Sequence, residues 1–432
     1  MDFNGLSVDQ APPIWAPLRF FLTAPLFGVL AGILMLFGDA NVLSSRFSLE
    51  SIAITHALTI GFLSFIIFGA LTQMLPVLAG VKIAKVNLVS LVSYLFLLFG
   101  TLFMIFGLLF EASVLMFAAS GLLGGGFLIL MLSMLVAFKS VINFTPSIRA
   151  MITSLIFALF IALMGIHLLA SYASGNFLQS HLLFANIHSV WAVFGFAGIL
   201  IIGVAFHILP MFYVAPKFKK FCKQRVVWII SAGLLLWLFL NLFFESYAAV
   251  AKIWVALFFW AFATTVYIKL NQRRRKVSDI TIWYWRSGAV FMTLGAFSWV
   301  LNDFFDSEYI VVVSVMIGGG FIISIMSGML YKIVPFLVWF HLNAKGYMSI
   351  PTMNEMISKK LSIAQFILFI VSLVGFIISF FVPELLALFA LTFILSMLIL
   401  EYNIAVAVSV YLKTIKTKPD FDMSAFAMKV ES

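Results

Sequence analysis

The stretch Thr55–Pro76, THALTIGFLSFIIFGALTQMLP, contains the main features from which the rest of the chain can be interpreted. Most of its 22 residues are apolar or small, and a helix of this length crosses the ~30 Å hydrocarbon core of a bilayer. It nevertheless carries a histidine, His56, at one end and a proline at the other. We therefore expect a membrane-spanning helix in which the histidine needs a separate explanation.

The composition of the whole chain agrees with this. Of 432 residues, 64% are hydrophobic and 10% are charged, and the mean hydropathy is +1.17, which is far outside the range of soluble domains. We predict an all-α polytopic membrane protein in which residues 1–432 form a single integral membrane domain. The hydropathy predicts twelve spans, at residues 18–38, 52–76, 87–110, 113–137, 150–173, 182–209, 226–244, 250–269, 282–301, 309–335, 361–381 and 385–412.

The basic residues predict the orientation of these spans. The net charge is +10, and the runs Lys217–Arg225 and Arg273–Lys276, like the other basic loops, follow even-numbered spans. Because positive loops stay on the cytoplasmic side, we predict that both termini are cytoplasmic and that the protein lies in the cell's inner (cytoplasmic) membrane. The lipid bilayer is then the partner of these charges, and we predict no nucleic-acid partner.

The opening stretch recurs twice. Spans 2, 6 and 10 each contain Gly-Phe, six residues, Gly, six residues and Pro, and a Gly-Phe pair would be followed by both residues at these offsets only about twice in a thousand cases by chance. The copies are Gly61-Phe62, Gly69 and Pro76; Gly195-Phe196, Gly203 and Pro210; and Gly320-Phe321, Gly328 and Pro335. They predict three quasi-equivalent four-helix units, at approximately 18–137, 150–269 and 282–412, in which the glycines form a packing stripe and the proline ends the helix.

The glycines and prolines do not account for the histidines. His56 lies twenty residues before its proline, and His188 lies twenty-two residues before its own. Two residues correspond to about 200° of helix rotation. If the units are equivalent, the two side chains look into different interhelical spaces, which argues against a simple two-histidine clamp.

A second set of polar residues shares another register. Gln73, His207 and Lys332 each lie three residues before the repeated proline, at the predicted cytoplasmic end, and Glu401 lies within an apolar run of span 12. Lys332 is a candidate partner for Glu401. The set predicts either a polar path through the cytoplasmic half or ordinary packing and hydration of helix ends.

With these residues in view, the chain resembles subunit I of the haem-copper oxidase superfamily, including nitric oxide reductases, and is similar to the NnrS group of haem- and copper-containing membrane proteins. In that family the span 2 histidine binds a low-spin haem, and His56 matches its position. The span 6 histidine binds copper, and His188 is the nearest match. The family's His-x-His pair of span 10 is replaced by Val313 and Val315, and span 7 has no histidine.

The resemblance implies a protein that binds a b-type haem through His56, with copper near His188, in electron transfer, sensing or metal and haem handling. It does not imply a complete oxygen or nitric oxide reductase, and it assigns no catalytic residue. A membrane redox partner or another subunit would complete such a system. Two alternatives remain: a cofactor-free transporter or channel that uses the polar path, and an accessory subunit. The single cysteine, Cys222, excludes a cysteine-ligated cluster.

Overall fold

The structure is a computed structural model that describes residues 12–39, 42–277, 279–304 and 309–421. Within these ranges the chain is helical and contains no β-strand. The long helices of this part of the chain are α1 (Trp15–Phe37), α2 (Leu49–Ala79), α3 (Val86–Leu109), α4 (Ser113–Phe138), α5 (Pro146–Ser174), α6 (His181–Tyr213), α7 (Lys220–Phe243), α8 (Glu245–Asn271), α9 (Ile280–Leu301), α10 (Ile310–Ala344), α11 (Lys359–Phe381) and α12 (Pro383–Thr414).

Eleven of the described helices are long and apolar enough to cross a membrane. The protein is therefore a multi-pass membrane protein, as predicted. The remaining long helix, α9, has 22 residues but carries Arg286 among tryptophans and hydroxyl side chains, and it is not one of the eleven. The count of twelve crossings and the cytoplasmic termini stay predictions.

The repeated prolines do not end their helices. α2 continues to Ala79 and α6 to Tyr213, each three residues beyond the proline, and α10 continues nine residues beyond Pro335 to Ala344. A proline removes one backbone hydrogen bond, but neighbouring helices and local changes in helix type tolerate this within a membrane protein. The expectation that each proline closes its helix is therefore wrong.

The helices with the repeat lie innermost. Within an apolar 18-residue stretch of each helix, the buried share of residues is 67% in α2, 78% in α6 and 56% in α10. In the other membrane-spanning helices this share does not exceed 50%. The remaining helices surround them, and α4 packs on α5, α8 on α9, and α12 on α1. Each of these contacts joins the last helix of one predicted unit to the first helix of another.

The first glycine of each repeat accommodates a phenylalanine. A Cβ atom added to Gly61 would lie 2.2 Å from Cγ of Phe27, one at Gly320 would lie 2.3 Å from Cγ of Phe291, and one at Gly195 would lie 2.7 Å from the Phe157 ring. The three phenylalanines lie on α1, α9 and α5, the first helix of each predicted unit. The same interaction therefore fixes all three inner helices.

The Gly-Phe pairs also lie in π-helical turns. These turns are Ala57–Ser64 in α2, Trp191–Gly198 in α6 and Val315–Ile323 in α10. A π turn inserts extra backbone into a helix and often marks a functional site. The turn in α2 follows His56 directly, and the turn in α6 begins three residues after His188.

We expect Gly61→Ala to lower the free energy of unfolding by about 1–3 kcal/mol, because the new methyl group would overlap the ring of Phe27. Gly121→Ala is the matched control, since a Cβ atom there meets nothing within 4 Å. Thermal unfolding in detergent measures the difference. A Phe27→Ala change made together with Gly61→Ala should remove the clash. Equal melting temperatures for Gly61→Ala and Gly121→Ala would contradict the close contact between Gly61 and Phe27.

Candidate functional site

A cavity of about 880 Å³ lies between the predicted outer ends of the helices. Its walls are mostly apolar and include Trp299, Phe369, Phe376 and Phe393. The volume is within the range that small-molecule and cofactor sites occupy. The cavity is therefore large enough to hold a small molecule or a cofactor.

His56 and His188 both line this cavity. Their ring centres are 6.1 Å apart, and the ring planes are inclined by 31°. The expectation that they look into different interhelical spaces is therefore wrong. The cavity is wide enough that several successive residues of each helix border it, so two side chains about 200° apart in register still reach the same space.

Both imidazoles are held by backbone carbonyl groups. Nδ1 of His56 lies 2.7 Å from the carbonyl oxygen of Ile52, one helical turn earlier. Nδ1 of His188 lies 3.0 Å from the carbonyl oxygen of Ile161 on α5. A carbonyl oxygen only accepts, so Nδ1 donates in each case and Nε2 keeps its lone pair. This is the usual support of a histidine that binds a metal.

Two cationic groups lie near the predicted outer end of the cavity. Arg46 donates a hydrogen bond to the side chain of Asn186, and Lys252 forms an ion pair with Asp303. The ammonium of Lys252 also lies 5.0 Å from the ring centre of Trp299. Burial lowers the pKa of Arg46, but an arginine stays charged at neutral pH. Asp303 already pairs with Lys252, and Glu245 also lines the cavity. Arg46 is therefore the cation at this end that is available to a carboxylate group.

The α10 side of the cavity supplies no metal ligand. Val313, Val315, Gly318 and Gly319 line it, and a Cβ atom at Gly318 would meet nothing within 4 Å. Within the described ranges, no three His, Cys, Asp or Glu side chains group closely enough to hold a metal ion. His181 also lines the cavity, but its ring packs on Tyr172 and Phe177. The two imidazoles that lie close together there are those of His56 and His188.

The four residues of the predicted polar path are not joined to one another. Gln73 is buried, with neither amide atom hydrogen-bonded, whereas the His207 side chain is exposed. Lys332 forms an ion pair with Asp279 and not with Glu401, and Oε2 of Glu401 has no hydrogen-bond partner. No hydrogen bond or ion pair among the described residues links any two of the four.

The sequence did not reveal a buried polar group centred on Gln365. Its Oε1 accepts hydrogen bonds from the hydroxyl groups of Tyr284 and Tyr331, and its Nε2 donates to Ser396 over 2.9 Å. Asn403 donates to Tyr331 over 3.3 Å. A glutamine inside the apolar α11 was the available signal, but its partners come from three other helices. Because both the oxygen and the nitrogen of the Gln365 amide have hydrogen-bond partners, this polar group connects α9, α10, α11 and α12.

In comparisons with protein-family models and with curated proteins, the chain matches no family model and no curated protein. The resemblance to oxidase subunit I therefore rests on the residues and spacings given above. The function has to be argued from the cavity.

We expect Asp303→Asn to destabilise the protein more than Lys252→Met. The first change leaves a buried ammonium without its counter-ion, whereas the second removes the charge and keeps the apolar stem. Because Asp303 is about one-third exposed, solvent replaces part of the lost interaction, and we expect a difference of about 1–2 kcal/mol.

Thermal unfolding of the two variants and of Lys252→Met/Asp303→Asn measures this difference. The double variant should be close to Lys252→Met alone. A Lys252→Met variant that melts below Asp303→Asn would show that the ion pair does not compensate a buried charge.

Proposed function

We propose that the cavity holds one b-type haem, that His56 and His188 would bind its iron, and that the protein transfers electrons in the inner membrane. The separation of the imidazoles carries this proposal. With metal–nitrogen bonds of about 2.0–2.1 Å, two imidazoles that bind one ion have ring centres no more than roughly 6.5 Å apart, and the observed distance is 6.1 Å.

The size and chemistry of the cavity favour a haem over a bare ion. A copper ion held by two imidazoles needs little space, whereas a planar tetrapyrrole needs a large apolar cavity such as the 880 Å³ observed here. The guanidinium of Arg46 at one end suits a carboxylate of a haem. Copper between the same imidazoles is the competing occupant, and metal analysis of the purified protein distinguishes the two.

The residues of the chain favour electron transfer over oxygen chemistry. When bound, haem iron supplies one-electron redox chemistry, and its axial ligands help set its potential. His56 and His188 would both hold the iron, and the further histidines with which the family binds copper are absent from span 7 and from positions 313 and 315. The Ile52 and Ile161 carbonyl groups would hold the two imidazoles in the neutral form that binds a metal.

The packing of the helices supports a relationship to oxidase subunit I. The same glycine in α2, α6 and α10 packs on a phenylalanine from the first helix of its unit, and α12 packs on α1, so the helices form a closed ring. We include in the proposal three quasi-equivalent units, twelve crossings and both termini in the cytoplasm. A membrane redox partner is part of the same proposal.

An optical spectrum tests the haem proposal. Protein purified from haem-supplemented cells should show a Soret band and, on reduction, the spectrum of a low-spin haem. His56→Ala and His188→Ala should each remove the low-spin spectrum, because each removes one of the two imidazoles that would bind the iron. His167→Ala is the matched control, since His167 lies on α5 and does not line the cavity.

A colourless preparation of folded wild-type protein would contradict the proposal, as would an unchanged low-spin spectrum in His188→Ala. The two variants test the ligands separately, because loss of either imidazole should change or remove the haem spectrum.

A cofactor-free transporter is the second candidate, and one observation favours it. The amide of Gln73 is buried with both atoms unpartnered, although such a group usually has a protein or water partner. Water or a polar solute passing the cytoplasmic half would supply one. Gln73→Leu should then reduce solute flux in liposomes. Unchanged flux in that variant and in Glu401→Gln would exclude this path.

A further inference from the structure

A second space lies on the lateral surface of the helices. It is a groove of about 600 Å³ between α5, α6 and α7. Its walls are almost wholly apolar and include Ile156, Phe160 and Trp191, and Arg149 also lines it. In a membrane such a groove faces the acyl chains of lipids.

The groove is separate from the histidine cavity. Trp191 of α6 borders the groove, whereas its neighbours Val190, Ala192 and Val193 border the cavity. α6 thus forms the wall between the two spaces. Binding in the groove is therefore independent of whether a haem occupies the cavity.

Arg149 is the one charged side chain among the residues that line the groove. It is the fourth residue of α5, which begins at Pro146, and it is partly buried. No hydrogen bond or ion pair joins its guanidinium to any described residue. The positive end of the α5 dipole adds to its charge. A partly buried arginine that has no counter-ion in the described part of the chain is available to pair with an anion from outside it.

The length of the groove matches an acyl chain. The α5 residues that line it run from Arg149 to Phe160 and recur at intervals of three and one, so they lie along one face. Eleven helical steps span roughly 16 Å, which is about half of the ~30 Å hydrocarbon core. Arg149 lies at the predicted cytoplasmic end, at the depth of a headgroup, and the apolar face extends inward from it.

We propose that this groove is a binding site for an anionic phospholipid of the cytoplasmic leaflet. Arg149 pairs with the phosphate through its planar, forked donors, and one acyl chain lies along Ile156 and Phe160 towards Trp191. A zwitterionic lipid fits the same groove less well, because its own ammonium group competes with Arg149 for the phosphate. The site therefore selects the headgroup charge and not merely an acyl chain.

Lipid titration of the delipidated, detergent-solubilised protein tests the proposal by native mass spectrometry. We expect the full-length protein to bind phosphatidylglycerol about five- to tenfold more tightly than phosphatidylcholine. Arg149→Gln should reduce this preference to less than about twofold. Lys139→Gln is the matched control, since Lys139 is an exposed cation on the same predicted side of the membrane, outside the groove.

A second variant tests the acyl-chain part of the site without changing any charge. Ile156 is 44% exposed, so Ile156→Trp should fold and fill the groove, and it should weaken binding of both lipids. Phosphatidylglycerol binding that is unchanged in Arg149→Gln would overturn the proposal. So would an equal loss in Lys139→Gln, which would indicate general charge attraction, or unchanged binding of both lipids in Ile156→Trp.

Discussion

The close contact between glycine and an aromatic ring is the constraint on which the architecture depends. Helices in a bilayer gain no hydrophobic free energy from association, so they are held by van der Waals packing, which needs close approach. Gly61, Gly195 and Gly320 provide that approach by leaving room for phenylalanines on α1, α5 and α9. The inner helices α2, α6 and α10 are thereby placed around one interior, and the outer helices close around them.

The same segments that pack closely on one side open a cavity on the other. The π turns of α2, α6 and α10 begin near the predicted outer end, where the helices border the 880 Å³ space. Below this level the interior is filled with side chains such as Phe68 and Phe196, whose ring centres are 5.9 Å apart. The histidines therefore lie at the boundary between a packed interior and an open one, with their Nδ1 atoms already bound to carbonyl groups.

The charges within the membrane region separate into those with a partner and those without. Lys252 and Lys332 each pair with an aspartate near a helix end, so they serve to fix the positions of the helices. Arg149 has no such partner and lines a lateral groove. A buried or partly buried charge without a counter-ion is the stronger indication of an external ligand, because the folded chain does not compensate its desolvation. Oε2 of Glu401 and the uncharged amide of Gln73 likewise have no hydrogen-bond partner among the described residues.

The all-helical, multi-pass class and the importance of the three glycine repeats could be predicted from the sequence, because hydrophobic length and residue spacing are local properties of the chain. The positions of individual side chains could not. The helix register predicted that His56 and His188 face different interhelical spaces, and Glu401 was the expected partner of Lys332. Only the tertiary structure brought the two imidazoles to 6.1 Å and paired Lys332 with Asp279, because cavity width and helix placement depend on contacts between residues that are far apart in the chain.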